Sequence, residues 1–154
     1  MIKHIKCDIF ESGADIICHQ VNCQGVMGSG IAKQIRDRYP WVYAEYREHC
    51  VTKLGKTSQL LGYTQSVYVN ETQRIVNLFA QDKFGYDGKC YTDYDSLRDC
   101  LHTVSVIYSG MTIAIPYLMG CHRGGGDWNI VYKMIEDVFA DYEGDVLICE
   151  YNGG

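Results

Sequence analysis

Between residues 16 and 32 the chain reads IICHQVNCQGVMGSGIA. An apolar run passes into a polar turn, then three glycines (Gly25, Gly28, Gly30), then the start of a helix. Glycine lets a backbone approach a ligand closely and take positive φ. A helix start adds unpaired N–H groups and the positive end of the helix dipole. That combination suits an anion. Most helices complement the dipole with Asp or Glu in the first turn, but here Ile31, Ala32 and Lys33 follow Gly30. A second glycine-rich stretch, Gly120, Cys121, His122, Arg123, Gly124, Gly125, Gly126 and Asp127, also follows an apolar run and leads into a helix. Two such bends at the carboxyl edge of neighbouring strands are placed to clamp one diphosphate.

Neither bend matches the common nucleotide fingerprints. A dinucleotide site needs G-x-G-x-x-G with an acidic residue at the end of the next strand. Here the order is Gly25-x-x-Gly28-x-Gly30, and Glu45 falls in an expected helix. No Gly-Lys-Ser/Thr follows the glycines, so a Walker loop is excluded. The remaining reactive types each have a structural explanation. On a buried strand, His19 reads as a core histidine bonded to a backbone carbonyl. Asp127 is well placed as the N-cap of the helix at Trp128, and is also a candidate base for activating water. A cysteine beside backbone amides can have a lowered pKa, but with no partner base Cys121 reads as packing. His122 and Arg123 are loop residues able to face phosphate.

The elements that position these bends alternate. Strands are expected over residues 2–7, 15–21, 59–69, 74–79, 111–115 and 145–151, the fourth pairing antiparallel with the third. Helices are expected over 31–38, over 41–54 after Pro40, over a segment capped by Asp93 and closed by Gly110, and over 128–142. In the second helix, Tyr43, Tyr46, Cys50 and Leu54 share one face. The result is an α/β fold, a three-layer α/β/α sandwich around a mixed central sheet of about six strands. At 154 residues the chain fits one domain spanning 1–154.

Composition narrows the function classes. The chain is 47% hydrophobic and 21% charged with a net charge of −5, so a broad surface for duplex nucleic acid is not expected. No apolar run approaches the ~20 residues that span a bilayer. Eight cysteines with no signal-like segment point to reduced thiols and a cytoplasmic setting. No C-x-x-C pair is present, and Cys18, His19 and Cys23 lack a second ligand pair, so no metal is expected.

His19-x-x-Asn22-Cys23-x-Gly25-x-x-Gly28-x-Gly30-Ile31-Ala32, Tyr39-Pro40, Tyr46, Gly120-Cys121 and Gly125-Gly126-Asp127-Trp128 together resemble the macrodomain family. The resemblance covers almost the whole chain. It is nearest to the branch of yeast-type ADP-ribose 1''-phosphate phosphatases, which shares the first pattern and the segment from Leu78-Phe79 to Phe84-Gly85. The resemblance implies a monomer, without cofactor or metal, that binds ADP-ribose or ADP-ribose 1''-phosphate and hydrolyses the latter. Asp8 and Ile9 would then meet adenine, with Tyr151 packing against it, and Asn22 would hold the distal ribose. Gly25, Val26, Met27, Gly28, Ser29, Gly30 and Ile31 would wrap one phosphate. Met119, Gly120, Cys121, His122, Arg123, Gly124, Gly125 and Gly126 would wrap the other. His19 and Asp127 would be the catalytic candidates. The chain also resembles, less closely, the hydrolases that release ADP-ribose from glutamate or DNA bases. Those use a lysine and an aspartate where this chain has Gln81 and Gly124, with Lys83 and Asp127 nearby. A third reading, an ADP-ribose reader without turnover, needs the bends alone.

Overall fold

A computed structural model describes residues 1–151 of the chain. In chain order the elements are β1 (Ile2–Lys6), β2 (Ile16–Asn22), α1 (Gly30–Arg38), α2 (Pro40–Val51), β3 (Thr64–Tyr68), β4 (Arg74–Gln81), α3 (Tyr94–Ile107), β5 (Ile113–Pro116), α4 (Trp128–Val138) and β6 (Val146–Glu150). They form one six-stranded sheet in the order β1-β6-β5-β2-β4-β3. The first five strands in that order run parallel, and β3 runs antiparallel to β4. The carboxyl ends of five strands therefore share one edge.

Alternation along the strands divides the core into two layers. Ile16 and Cys18 of β2, with Val76, Leu78 and Ala80 of β4, pack toward Leu97, Leu101 and Val104 of α3 and Val131 and Ile135 of α4. The intervening Ile17, Val21, Ile75 and Phe79 pack toward Ile35 of α1 and Val42, Tyr46 and Cys50 of α2. Strands covered on both faces carry apolar residues toward both, which is why Ile16–Cys18 of β2 and Leu78–Ala80 of β4 run without a two-residue alternation. This is the expected α/β/α sandwich with a mixed sheet.

Local chemistry sets the element ends. Asp93 accepts a hydrogen bond from the Ser96 N–H at 3.0 Å to start α3, and Asp127 accepts one from the Asn129 N–H at 2.9 Å to start α4. Tyr39, held out of the helical region by the proline that follows it (φ −131°, ψ 73°), separates α1 from α2, whose first residue is Pro40. Three expected boundaries are corrected. The second helix ends at Val51, because Lys53 and Leu54 donate to Cys50 and Val51, three residues back. That tighter winding rotates Leu54 off the buried face and leaves it 82% exposed. The strand expected from residue 59 begins at Thr64, because Thr57–Leu60 is a 3-10 turn and Gly62 (φ +91°) redirects the chain. The last helix also stops early, at Val138.

β2 and β5 pair only at Ile16↔Ile113 and Ile17↔Ala114, then diverge. On its other side β2 stays paired with β4 through a register shift at Val21/Asn22. Bulges of this kind re-aim side chains beside sites. The gap between β2 and β5 opens toward the shared carboxyl edge.

Candidate ligand cleft

A cleft of about 960 Å³ crosses that edge. Its walls come from the ends of successive strands: Asp8 and Ile9 after β1, Glu150 and Tyr151 at the end of β6, the bend after β5, the bend after β2, and Gln81 with Phe84, Gly85 and Tyr86 at the end of β4. Four inter-strand steps of about 4.8 Å give a length of roughly 19 Å.

The bend after β2 is built around Asn22. Its Oδ1 accepts from the Gln24 N–H at 3.0 Å, its Nδ2 donates to the Val26 carbonyl at 2.8 Å, and the Tyr46 hydroxyl lies 2.8 Å from Oδ1. The Asn22 amide is thus used within the bend, and Asn22 shapes the loop as well as lining the cleft. Gly25 (φ +80°) and Gly30 (φ +59°) need glycine for conformation, while a Cβ on Gly28 would meet only a Val26 methyl at 3.5 Å. Gly28 faces open space. Ser29 precedes α1 without a capping hydrogen bond from its side chain, and the first turn holds no acidic residue. Here the helix dipole meets the cleft uncompensated.

The bend after β5 is packed instead. A Cβ on Gly124 would lie 2.6 Å from the Gly120 carbonyl, and one on Gly125 would land on the Lys89 carbonyl. The Tyr91 and Thr92 N–H groups donate to the Gly124 carbonyl at 2.7 and 3.0 Å, and the Thr92 hydroxyl donates to Gly120 at 2.7 Å. Since that hydroxyl's proton goes to Gly120, Thr92 accepts from Gln20 Nε2 at 2.9 Å, as does Gln81 Oε1. Gln20 Oε1 is then a buried acceptor with no protein partner. At the mouth of this bend Leu118 adopts φ +63°, a left-handed conformation that is strained for any residue with a Cβ.

His19 lines the cleft floor yet is 2% exposed. A chain of polar groups fixes its tautomer. Gln65 Nε2 donates to the Glu45 backbone carbonyl, so Gln65 Oε1 accepts from Asn77 Nδ2, and Asn77 Oδ1 accepts from His19 Nε2 at 2.6 Å. The proton sits on Nε2. Burial pulls the His19 pKa down to about 4, against a smaller opposing effect of the Asn77 bond, so the ring is neutral at pH 7.

Of the residues picked from sequence, Asp8, Ile9, His19, Asn22, Val26, Gly28, Ser29, Gly30, Ile31, Met119, Gly120, His122, Arg123, Gly124 and Tyr151 line the cleft. Gly25, Met27, Cys121, Gly125, Gly126 and Asp127 lie outside its lining. Met27 is fully buried in the core. Asp127 caps α4, and its own N–H donates to the Tyr94 hydroxyl at 2.9 Å, so its carboxylate serves the helix rather than the cleft. Burial, then the nearby Asp127 charge, pushes the Cys121 thiol up to about 11, opposite to what a nucleophile needs. Gln20 and Gln81 also line the cleft, and what joins them to each other and to Thr92 is contact between segments distant in sequence, which leaves no local signal. All eight cysteines are free. Among the described residues, no cluster of three or more His, Cys, Asp or Glu could hold a metal, and no helix is long and apolar enough to cross a membrane.

In open α/β sheets, ligands bind at the carboxyl ends of parallel strands, where this cleft lies, and comparison with known proteins identifies the fold. No family model matches the chain. It is similar to the DNA ADP-ribosyl glycohydrolase of Mycobacterium tuberculosis, 26% identical over 156 residues, covering 100% of this chain and 43% of that protein. An ADP-ribose 1''-phosphate phosphatase of Neosartorya fischeri is 49% identical over 56 residues, 35% of this chain and 28% of the phosphatase. The chain thus spans less than half the length of the curated relatives it matches. Among solved structures, the macrodomain of Mycobacterium tuberculosis DarG superposes with a TM-score of 0.77 over 100% of this chain and 99% of that one, at 23% identity. The fold of this chain is the macrodomain fold.

Proposed function

We propose that the cleft holds ADP-ribose lengthwise, and that the chain hydrolyses ADP-ribose 1''-phosphate to ADP-ribose and phosphate. One observation carries the binding: Gly28 and the uncompensated start of α1 present free backbone donors to an open cleft. The adenine end lies at Asp8, Ile9 and Tyr151, the diphosphate between the two bends, and the distal ribose toward Asn22 and His19. In the reaction, water attacks phosphorus and the phosphorus–oxygen bond to the ribose breaks, leaving a ribose hydroxyl and inorganic phosphate. Neutral His19, with its proton committed to Asn77, keeps Nδ1 as a lone-pair nitrogen able to accept a hydrogen bond from that water. The local likeness to ADP-ribose 1''-phosphate phosphatases supports this reaction.

The full-length likeness to a DNA ADP-ribosyl glycohydrolase favours a second reading, release of ADP-ribose from a macromolecule. Against it, Gln81 is bonded to Gln20 and to the Lys83 carbonyl, and Lys83 is outside the cleft lining. Donors that hold a diphosphate equally in ground and transition states give affinity without turnover, so the reader is the remaining outcome. The test incubates the protein with ADP-ribose 1''-phosphate, ADP-ribosylated protein and ADP-ribosylated DNA. Phosphate release that is lost in a folded His19→Gln variant is expected. Release of free ADP-ribose would establish the second reading, and tight binding with neither product the reader.

A further inference from the structure

The charges lining the cleft are unevenly distributed. Its two carboxylates, Asp8 and Glu150, lie at the β1/β6 end, and each has a basic neighbour: Arg38 is 3.8 Å from Asp8, and His4 Nε2 is 2.8 Å from Glu150. Arg123 is the one permanent cation among the described lining residues, and none of their ion pairs includes it. Its guanidinium instead lies 4.2 Å from the centre of the Tyr86 ring. Tyr86 belongs to the segment after β4 and Arg123 to the bend after β5. The pair therefore joins the two flanks of the β2 bend, at the end of the cleft away from Asp8 and Tyr151.

Cation–π stacking holds an arginine in place while leaving its N–H donors free. A guanidinium so held offers a fork of donors matched to phosphate. Backbone amides already serve the diphosphate, so a side-chain cation at the far end has a different partner. Resting on the ADP-ribose reading above, we infer that Arg123, positioned by Tyr86, recognises an extra phosphate carried on the distal ribose and so selects phosphorylated ligand over ADP-ribose.

Calorimetry on the whole chain tests this with three probes: ADP-ribose, ADP-ribose 1''-phosphate, and ADP-ribose bearing its extra phosphate on the adenosine ribose. Arg123→Gln should weaken binding of the 1''-phosphate by roughly tenfold or more and leave the other two within about twofold. Tyr86→Ala should reproduce part of that loss, and Tyr86→Phe, which keeps the ring, should restore wild-type selectivity. Equal weakening of all three probes would reduce Arg123 to a general charge effect and overturn the inference. Unchanged 1''-phosphate affinity in Arg123→Gln would overturn it as well. If wild-type protein fails to bind ADP-ribose itself, the reading beneath the inference is what falls.

Discussion

The two glycine-rich bends look alike in sequence and are built for opposite reasons. In the bend after β2, glycine satisfies conformation at Gly25 and Gly30, and Gly28 borders empty cleft. In the bend after β5, the segment from Lys89 to Thr92 presses against Gly124 and Gly125, and the Gly120 carbonyl of the bend itself closes on Gly124 and Gly126. The first bend borders open cleft at Gly28, whereas the second is filled by the protein's own backbone. A run of glycines therefore marks close approach of something, and only the tertiary structure says whether that is a ligand or a neighbouring loop.

Substitution separates the two cases. Gly125→Ala adds a Cβ at φ +67° where the Lys89 carbonyl stands, and should cost roughly 3–5 kcal/mol from strain and overpacking combined, read as a large drop in the urea midpoint. Gly28→Ala should stay within about 0.5 kcal/mol of wild type. Gly28→Glu should also fold, but should lose ADP-ribose binding by placing like charge in the proposed phosphate site. Normal affinity in that variant would break the assignment of the first bend.

Acid tests the buried histidine beneath the first bend. The folded-state pKa of His19, about 4, lies below the ordinary 6.5, so the unfolded chain binds the extra proton first. The neutral ring's contribution is fully present above pH 6.5 and fades as pH falls toward 4, at most roughly 3 kcal/mol. Stability of His19→Gln should fall less than that of wild type between pH 7 and 4.5. A more modest effect belongs to the second bend. Asp127→Ala should cost about 1 kcal/mol through the lost cap of α4 and leave ligand affinity unchanged, because its carboxylate serves the helix.

The sequence made much of this visible. Unbroken apolar stretches at residues 16–18 and 75–76 announce strands covered on both faces, and Asp93 and Asp127 announce helix starts, because each signal lies within a few residues of its effect. The uncompensated first turn of α1 is legible for the same reason. Helical spacing alone puts Leu54 on the buried face, because one turn of tighter winding is a backbone choice that leaves no periodicity. The packing of Gly125 against Lys89, the use of the Asn22 amide within its loop, and the meeting of Arg123 with Tyr86 all join segments that only the fold brings together.

The parallel pairing of β1 with β6 has a kinetic consequence. Beside that ladder the His4 and Glu150 side chains meet across 146 positions of the chain, and closing so long a loop is slow. In a nascent polypeptide, the Asp8 and Tyr151 end of the cleft is completed only after the final strand has been synthesised, while β2 and β4 can already be paired. On the proposed function, full affinity for ADP-ribose should therefore appear late in refolding, after most of the sheet has acquired protection from hydrogen exchange.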